Sequence, residues 1–268
     1  MNELLAPFIW VAVTLPLLLL VQRWIHRHLH GVSLLLLGKA NWAMILYAIV
    51  LLPGVFLHEV SHWLTAGMLG VRTGRFSLIP RVQKDGSIQL GYVEYYKSRT
   101  LGPFRESLIG GAPLLFGTAA ILLIAFNIFD IAQLGAAIQS GQMNELTLAL
   151  GQIFSANDFL VWLYLLFAIS NAMLPSPSDR RAWPAFIIAL LLLGLLVVLL
   201  GAQNILWEGI AGPASRVFGY LGVAFSLALG VDLFVMLLLA LVERAISRLK
   251  HVELVYDSAA SVSEHEAS

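Results

Sequence analysis

The stretch Asn41-Trp-Ala-Met-Ile-Leu-Tyr-Ala-Ile-Val-Leu-Leu-Pro-Gly-Val-Phe-Leu-His58-Glu59-Val-Ser-His62-Trp-Leu-Thr-Ala-Gly-Met-Leu69 decides the fold. From 41 to 57 it carries no charged side chain. A membrane-spanning helix needs roughly 20 mostly apolar residues, and this run supplies them. Its far part then places three ionisable groups, His58, Glu59 and His62, on the same helix. Ionisable groups at membrane depth are costly and point to function.

Similar apolar runs lie near 4–22, 106–127, 158–175, 183–201 and 218–242. Of the 268 residues, 59% are hydrophobic and 12% charged. Soluble domains average about 45–50% and about 25%. The expectation is an all-α polytopic membrane protein with about six transmembrane helices. It forms one membrane domain, 1–252, followed by a disordered tail, 253–268, rich in Ser, Ala and Glu. The start, Met1-Asn-Glu-Leu-Leu, has no basic region, and the first run ends in Gln22-Arg23-Trp24 without a small-residue cleavage site. That reads as a retained helix. The absence of cysteine excludes disulfides and thiolate-held metals. A net charge of zero without a basic run argues against nucleic acid as a partner. The expected partners are the lipid bilayer and a membrane-protein substrate.

Two connections carry content. Residues 71–105 are polar and basic, and Phe76-Ser-Leu-Ile79 and 87–96 have strand composition. Asp85-Gly86 between them signals a hairpin turn. Residues 128–157 lack Lys and Arg and suit one or two short interfacial helices. Basic residues concentrate on the inner side of a membrane. Loops 71–105 and 176–182 and the C-terminus, with Arg244, Arg248 and Lys250, are therefore expected inside, with 128–157 and 202–217 outside. Stretch 23–40 falls outside despite Arg23, Arg27 and Lys39. A multi-pass protein of a prokaryotic plasma membrane, C-terminus cytoplasmic, is the expectation.

His58-Glu59-Val60-Ser61-His62 is an H-E-x-x-H pattern. Positions i and i+4 share a helix face, so both imidazoles reach one ion. Zinc lowers the pKa of a bound water toward ~7, and Glu59 can take its proton. A catalytic zinc commonly has a third protein ligand. His26, His28 and His30 lie beside Arg23 and Arg27 and are expected to be interfacial. Asp232, deep in the last apolar run, is either a functional carboxylate or a hydrogen-bonded packing residue. The best candidate is Asp179, ending Asn171-Ala-Met-Leu-Pro175-Ser-Pro177-Ser-Asp179. The two prolines stop the helix there, toward the side that His58 faces.

With these residues the chain resembles the site-2 protease family of intramembrane zinc metalloproteases. That family has H-E-x-x-H on one helix and a distant N-x-x-P-x-P-x-x-D-type motif whose Asp is the third zinc ligand. Here one extra residue separates Asn171 from Pro175, and Ser178-Asp179-Arg180 stands where Leu-Asp-Gly is common. The resemblance covers about 41–182, including a hairpin after the zinc helix on the inner side and Gly110-Gly-Ala-Pro113 opening the next span. It implies an intramembrane zinc metalloendopeptidase. His58, His62 and Asp179 would hold Zn2+, Glu59 would be the general base, and Asn171 would contact substrate. A non-hydrolytic transporter or metal-binding scaffold is the competing reading. It suits broken helices and Asp232 but gives Glu59 no task.

Overall fold

The computed structural model describes residues 2–82, 88–95, 102–201, 204, 209–252, 254 and 256. It is mainly helical: α1 (Asn2–Leu37), α2 (Ala40–Met68), α3 (Pro103–Asn127), α4 (Ile131–Ser140), α5 (Met143–Phe154), α6 (Phe159–Met173), α7 (Trp183–Leu199) and α8 (Gly212–Lys250). Between α2 and α3 lie four short strands, β1 (Thr73–Ser77), β2 (Arg81–Val82), β3 (Ile88–Gln89) and β4 (Tyr92–Tyr95). They pair antiparallel as β1 with β4 and β2 with β3, in nested register from Thr73 opposite Tyr95 to Val82 opposite Ile88. The hairpin read from composition is present. Its Asp85-Gly86 turn, and the tail 253–268 apart from Leu254 and Tyr256, lie outside the described residues.

Among the described residues, four helices are long and apolar enough to cross a membrane: those covering Leu4–Leu37, Ala40–Met68, Pro103–Asn127 and Gly209–Lys250. A fifth crossing exists if α5 and α6, which meet at 87°, form one broken span. α7 is apolar but only 17 residues long, with no buried residue. The expected six therefore reduce to four or five on length. Residues 128–157 form the two short helices α4 and α5.

α1 does not stop at residue 22. Val11, Leu18, Ile25, Leu29, Val32 and Leu35 are buried along its whole length. That three-and-four spacing is a continuous helical seam. Arg23 and Arg27 fall on its exposed side, so the charges that ended the apolar run in sequence do not end the helix. The seam packs mainly on α8, and paired contacts fix its direction. Phe8 meets Phe218, Trp10 Nε1 donates to Ser226, Gln22 reaches Asp232, His28 meets Glu243, and Lys250 donates to the Leu35 carbonyl. Both numbers rise together, so α1 and α8 run parallel.

α2 reverses from α1 after a two-residue joint, bringing Tyr47 beside His26 and His30. α2 and α6 run parallel. Tyr164 faces Ile49, Gly54 lies against the Ala168 carbonyl, and His58 reaches Ala172. A Cβ at Gly54 would collide with that carbonyl, so glycine is what permits the approach. α3 runs against both, with Ile109 beside His62 and Gly117 against Met173. The end of α2, the start of α3 and the end of α6 thus meet at one end of the bundle. α8 starts at that same end and finishes at the other. This corrects the charge-based order, which put loop 176–182 and the C-terminus on one side.

Candidate metal centre

His58 and His62 stand one turn apart near the end of α2, and Asp179 follows the Pro175-Ser-Pro177 break after α6. The ligating atoms of these three residues lie within 4.8 Å of one another. His58 Nε2 is 3.1 Å from His62 Nε2. The two carboxylate oxygens of Asp179 lie 3.6 Å from His58 Nε2 and 3.4 Å from His62 Nε2. His62 and Glu59 are buried, and His58 and Asp179 half-buried.

The ring orientations follow from backbone chemistry. His58 Nδ1 lies 2.6 Å from the Ala172 carbonyl, and His62 Nδ1 lies 2.8 Å from the Ile109 carbonyl. A carbonyl only accepts, so each Nδ1 carries the proton and each neutral ring turns an Nε2 lone pair inward. These carbonyls are free because the helices are interrupted. Pro113 has no N–H to offer Ile109, four residues before it, and α6 ends at Met173, leaving Ala172 at its last turn.

Asp179 is held by its own loop. Its Oδ2 accepts the Ser176 N–H at 2.7 Å, and Ser176 Oγ accepts the Asp179 N–H at 3.3 Å. Burial disfavours the charged form of the Asp179 carboxyl, and the hydrogen bond from the Ser176 N–H favours it. A Cβ at Gly110 would land on the Asp179 carbonyl, so α3 can approach this loop only with glycine there.

Two inward lone pairs and a carboxylate at these distances repel unless a cation or protons lie among them. Tetrahedral coordination at bond lengths of about 2.0–2.1 Å sets neighbouring ligand atoms about 3.3 Å apart. The 3.1 Å between the two Nε2 atoms is close to that value, while the 3.6 and 3.4 Å contacts of Asp179 use different carboxylate oxygens, and one ligand atom from each residue lies within 4.8 Å of the others. The cluster can hold a metal ion. Glu59, one residue from His58, is covered on another side by the hairpin. A Cβ at Gly91 would lie 3.1 Å from Glu59 Oε1 and 2.9 Å from its Cγ.

Asn171 is not part of the cluster. Its Nδ2 donates to the Phe167 carbonyl at 2.9 Å, to Ser170 Oγ at 3.2 Å and to Asp232 Oδ1 at 2.8 Å. Its Oδ1 is buried without a hydrogen-bond partner. Asp232 is fully buried and also accepts from Ser170 Oγ at 2.8 Å and, more weakly, Gln22 Nε2 at 3.4 Å. The three histidines of α1 are not members of the cluster. His26 bridges the Tyr47 hydroxyl at 2.6 Å and the Asn171 carbonyl at 3.1 Å, while His28 meets Glu243 at 2.6 Å and stacks on Trp24. Sequence reasoning passed over Gln22 and Tyr47 and gave His26 no part in the bundle's polar contacts. The available signal was polar residues at helical spacing on the seam of α1. No family model, curated protein or solved structure matches the chain.

Proposed function

We propose that this chain is an intramembrane zinc metalloendopeptidase of the site-2 protease type, hydrolysing peptide bonds in or beside transmembrane segments of membrane-protein substrates. The observation that carries the reading is Glu59 beside two imidazoles whose Nε2 atoms face the Asp179 carboxylate. A site that only stores or moves a metal has no task for that carboxylate.

In this reading His58, His62 and Asp179 hold Zn2+. Bound there, zinc supplies a Lewis acid and a water of near-neutral pKa. Glu59 takes a proton from the attacking water and later delivers it to the leaving amine, returning to its starting state. The backbone carbonyls of Ala172 and Ile109 keep both imidazoles in one tautomer. Asn171 has a narrower role than the resemblance implies. Oxyanion stabilisation needs a donor, and its Nδ2 is already committed, while its unpartnered Oδ1 is buried. The hairpin lies against Glu59 at Gly91, which supports a role for it in meeting an unwound substrate segment.

The cluster end is proposed to face the cytoplasm of a prokaryotic plasma membrane, because Arg72, Arg75, Arg81, Arg105, Arg180 and Arg181 lie toward it in the chain. The C-terminal end of α8 then faces the opposite side. A transporter or scaffold reading has one observation in its favour, the fully buried carboxylate of Asp232 within an apolar helix. Glu59→Gln separates the two. Purified wild type should contain zinc and cleave synthetic transmembrane-segment peptides, as read by mass spectrometry. The variant should keep its zinc and lose cleavage by about 10²–10⁴-fold. Cleavage by the variant at the wild-type rate would sink the protease reading.

A further inference from the structure

The last turn of α6 is where the centre is assembled, and the helix itself holds that turn poorly. Three successive carbonyls, Ser170, Asn171 and Ala172, occupy its end, and Pro175 has no N–H to return to Asn171. A helix C-terminus leaves such carbonyls without intrahelical partners. Here each is taken by a side chain from another helix. Gln22 Nε2 donates to the Ser170 carbonyl at 2.7 Å, His26 Nε2 lies 3.1 Å from the Asn171 carbonyl, and His58 Nδ1 lies 2.6 Å from the Ala172 carbonyl. The side chains of the same turn are held as well, since Ser170 Oγ and Asn171 Nδ2 both donate to Asp232 Oδ1 at 2.8 Å.

We infer that α1 and α8 are part of the metal centre's support, with Gln22, His26 and Asp232 acting as positioning residues for His58 and Asp179. The inference rests on the metal centre of the proposed function and extends it to helices outside the stretch 41–182. The path is short. Asp232 and Gln22 fix residues 170–171, Ala172 comes next and aims His58, and the chain then runs through the proline break to Asp179. Partners that orient a ligand from behind typically change metal affinity by about 10–100-fold when removed. Removing the Asp232 carboxylate leaves the buried donors of Ser170 and Asn171 unpaired and lowers stability. The Co2+ spectrum, which a loss of stability alone does not move, tells the two roles apart.

The test uses the full chain in detergent with Co2+, whose visible spectrum reports ligand geometry, and Zn2+ competed against a chromophoric chelator. Asp232→Leu and Gln22→Met should each weaken Zn2+ binding about 10–100-fold and alter the Co2+ spectrum. Asp232→Asn keeps an acceptor for Ser170 and Asn171 and should restore most of the affinity. If Asp232→Leu fails to fold, Gln22→Met carries the comparison from a different helix. Variants that bind Zn2+ as wild type does, with an unchanged Co2+ spectrum, overturn the inference and leave the metal centre standing. A wild type that binds neither ion overturns both.

Discussion

His58 and His62 each give one ring nitrogen to a backbone carbonyl, so the orientation of the centre is fixed by atoms that have no side chain of their own. Asp179 is different: its carboxylate is the only non-histidine member of the cluster and is held by the Ser176 N–H. Asp179→Ala removes a whole ligand, so its effect should exceed that of losing an orienting partner. Zinc affinity is expected to fall more than about 100-fold, and elemental analysis after dialysis should find the variant metal-free. Full zinc occupancy in Asp179→Ala would mean that another group is the third ligand. At this scale the sequence was readable where function uses side chains. The H-E-x-x-H spacing and the proline break pointed to the three residues that come together. The carbonyls of Ile109 and Ala172 were not readable, because any residue presents the same C=O. Asn171 shows a related limit. A motif position says nothing about which way an amide turns, and this one turns toward Asp232.

Among the elements, the interrupted helices do the positioning. Pro113 lies inside α3 and frees the Ile109 carbonyl for His62. Pro53 likewise lies inside α2 and frees the Ile49 carbonyl, which the Tyr164 hydroxyl approaches at 3.5 Å. A proline in a helix interior costs about 3 kcal/mol relative to alanine. Pro113→Ala should therefore raise helix stability while restoring an N–H that competes with His62 for the Ile109 carbonyl. The expected outcome is an unfolding temperature at or above that of wild type together with several-fold weaker zinc binding. Equal or tighter zinc binding would show that the freed carbonyl is not what orients His62. The apolar runs announced α2 and α3 closely, since length and composition decide a span. They failed for α1 because Arg23 and Arg27 interrupt hydropathy without interrupting the buried seam through Ile25, Leu29 and Val32. They overstated α6 and α7 because composition does not reveal an 87° bend or a helix that buries nothing.

For the whole molecule, the parallel course of α1 and α8 governs which ends share a side. α1 spans about 54 Å and α8 about 58 Å at 1.5 Å per residue, so both exceed a bilayer core of about 30 Å. Counting charges loop by loop assumes that every apolar run crosses. α6 ends and α8 begins at the same end of the bundle, so α7 and the chain after it make no net crossing. Basic residues then stand at both ends, with Arg180 and Arg181 near the cluster and Lys39, Arg244, Arg248 and Lys250 away from it. The charge pattern was legible, but the parity of the chain depends on packing that no single segment encodes. The chain has no cysteine, so single introduced thiols report sidedness without background. Lys39, Ser178 and Leu249 are exposed. In sealed vesicles, Lys39→Cys and Leu249→Cys should react with a membrane-impermeant maleimide from one face and Ser178→Cys from the other. If Leu249→Cys and Ser178→Cys label from the same face, α8 runs antiparallel to α1 in the membrane. Phe8 and Phe218, and His28 and Glu243, would then lie at opposite ends of the pair, and the packing of α1 on α8 that the bracing of the metal centre rests on would fail with them.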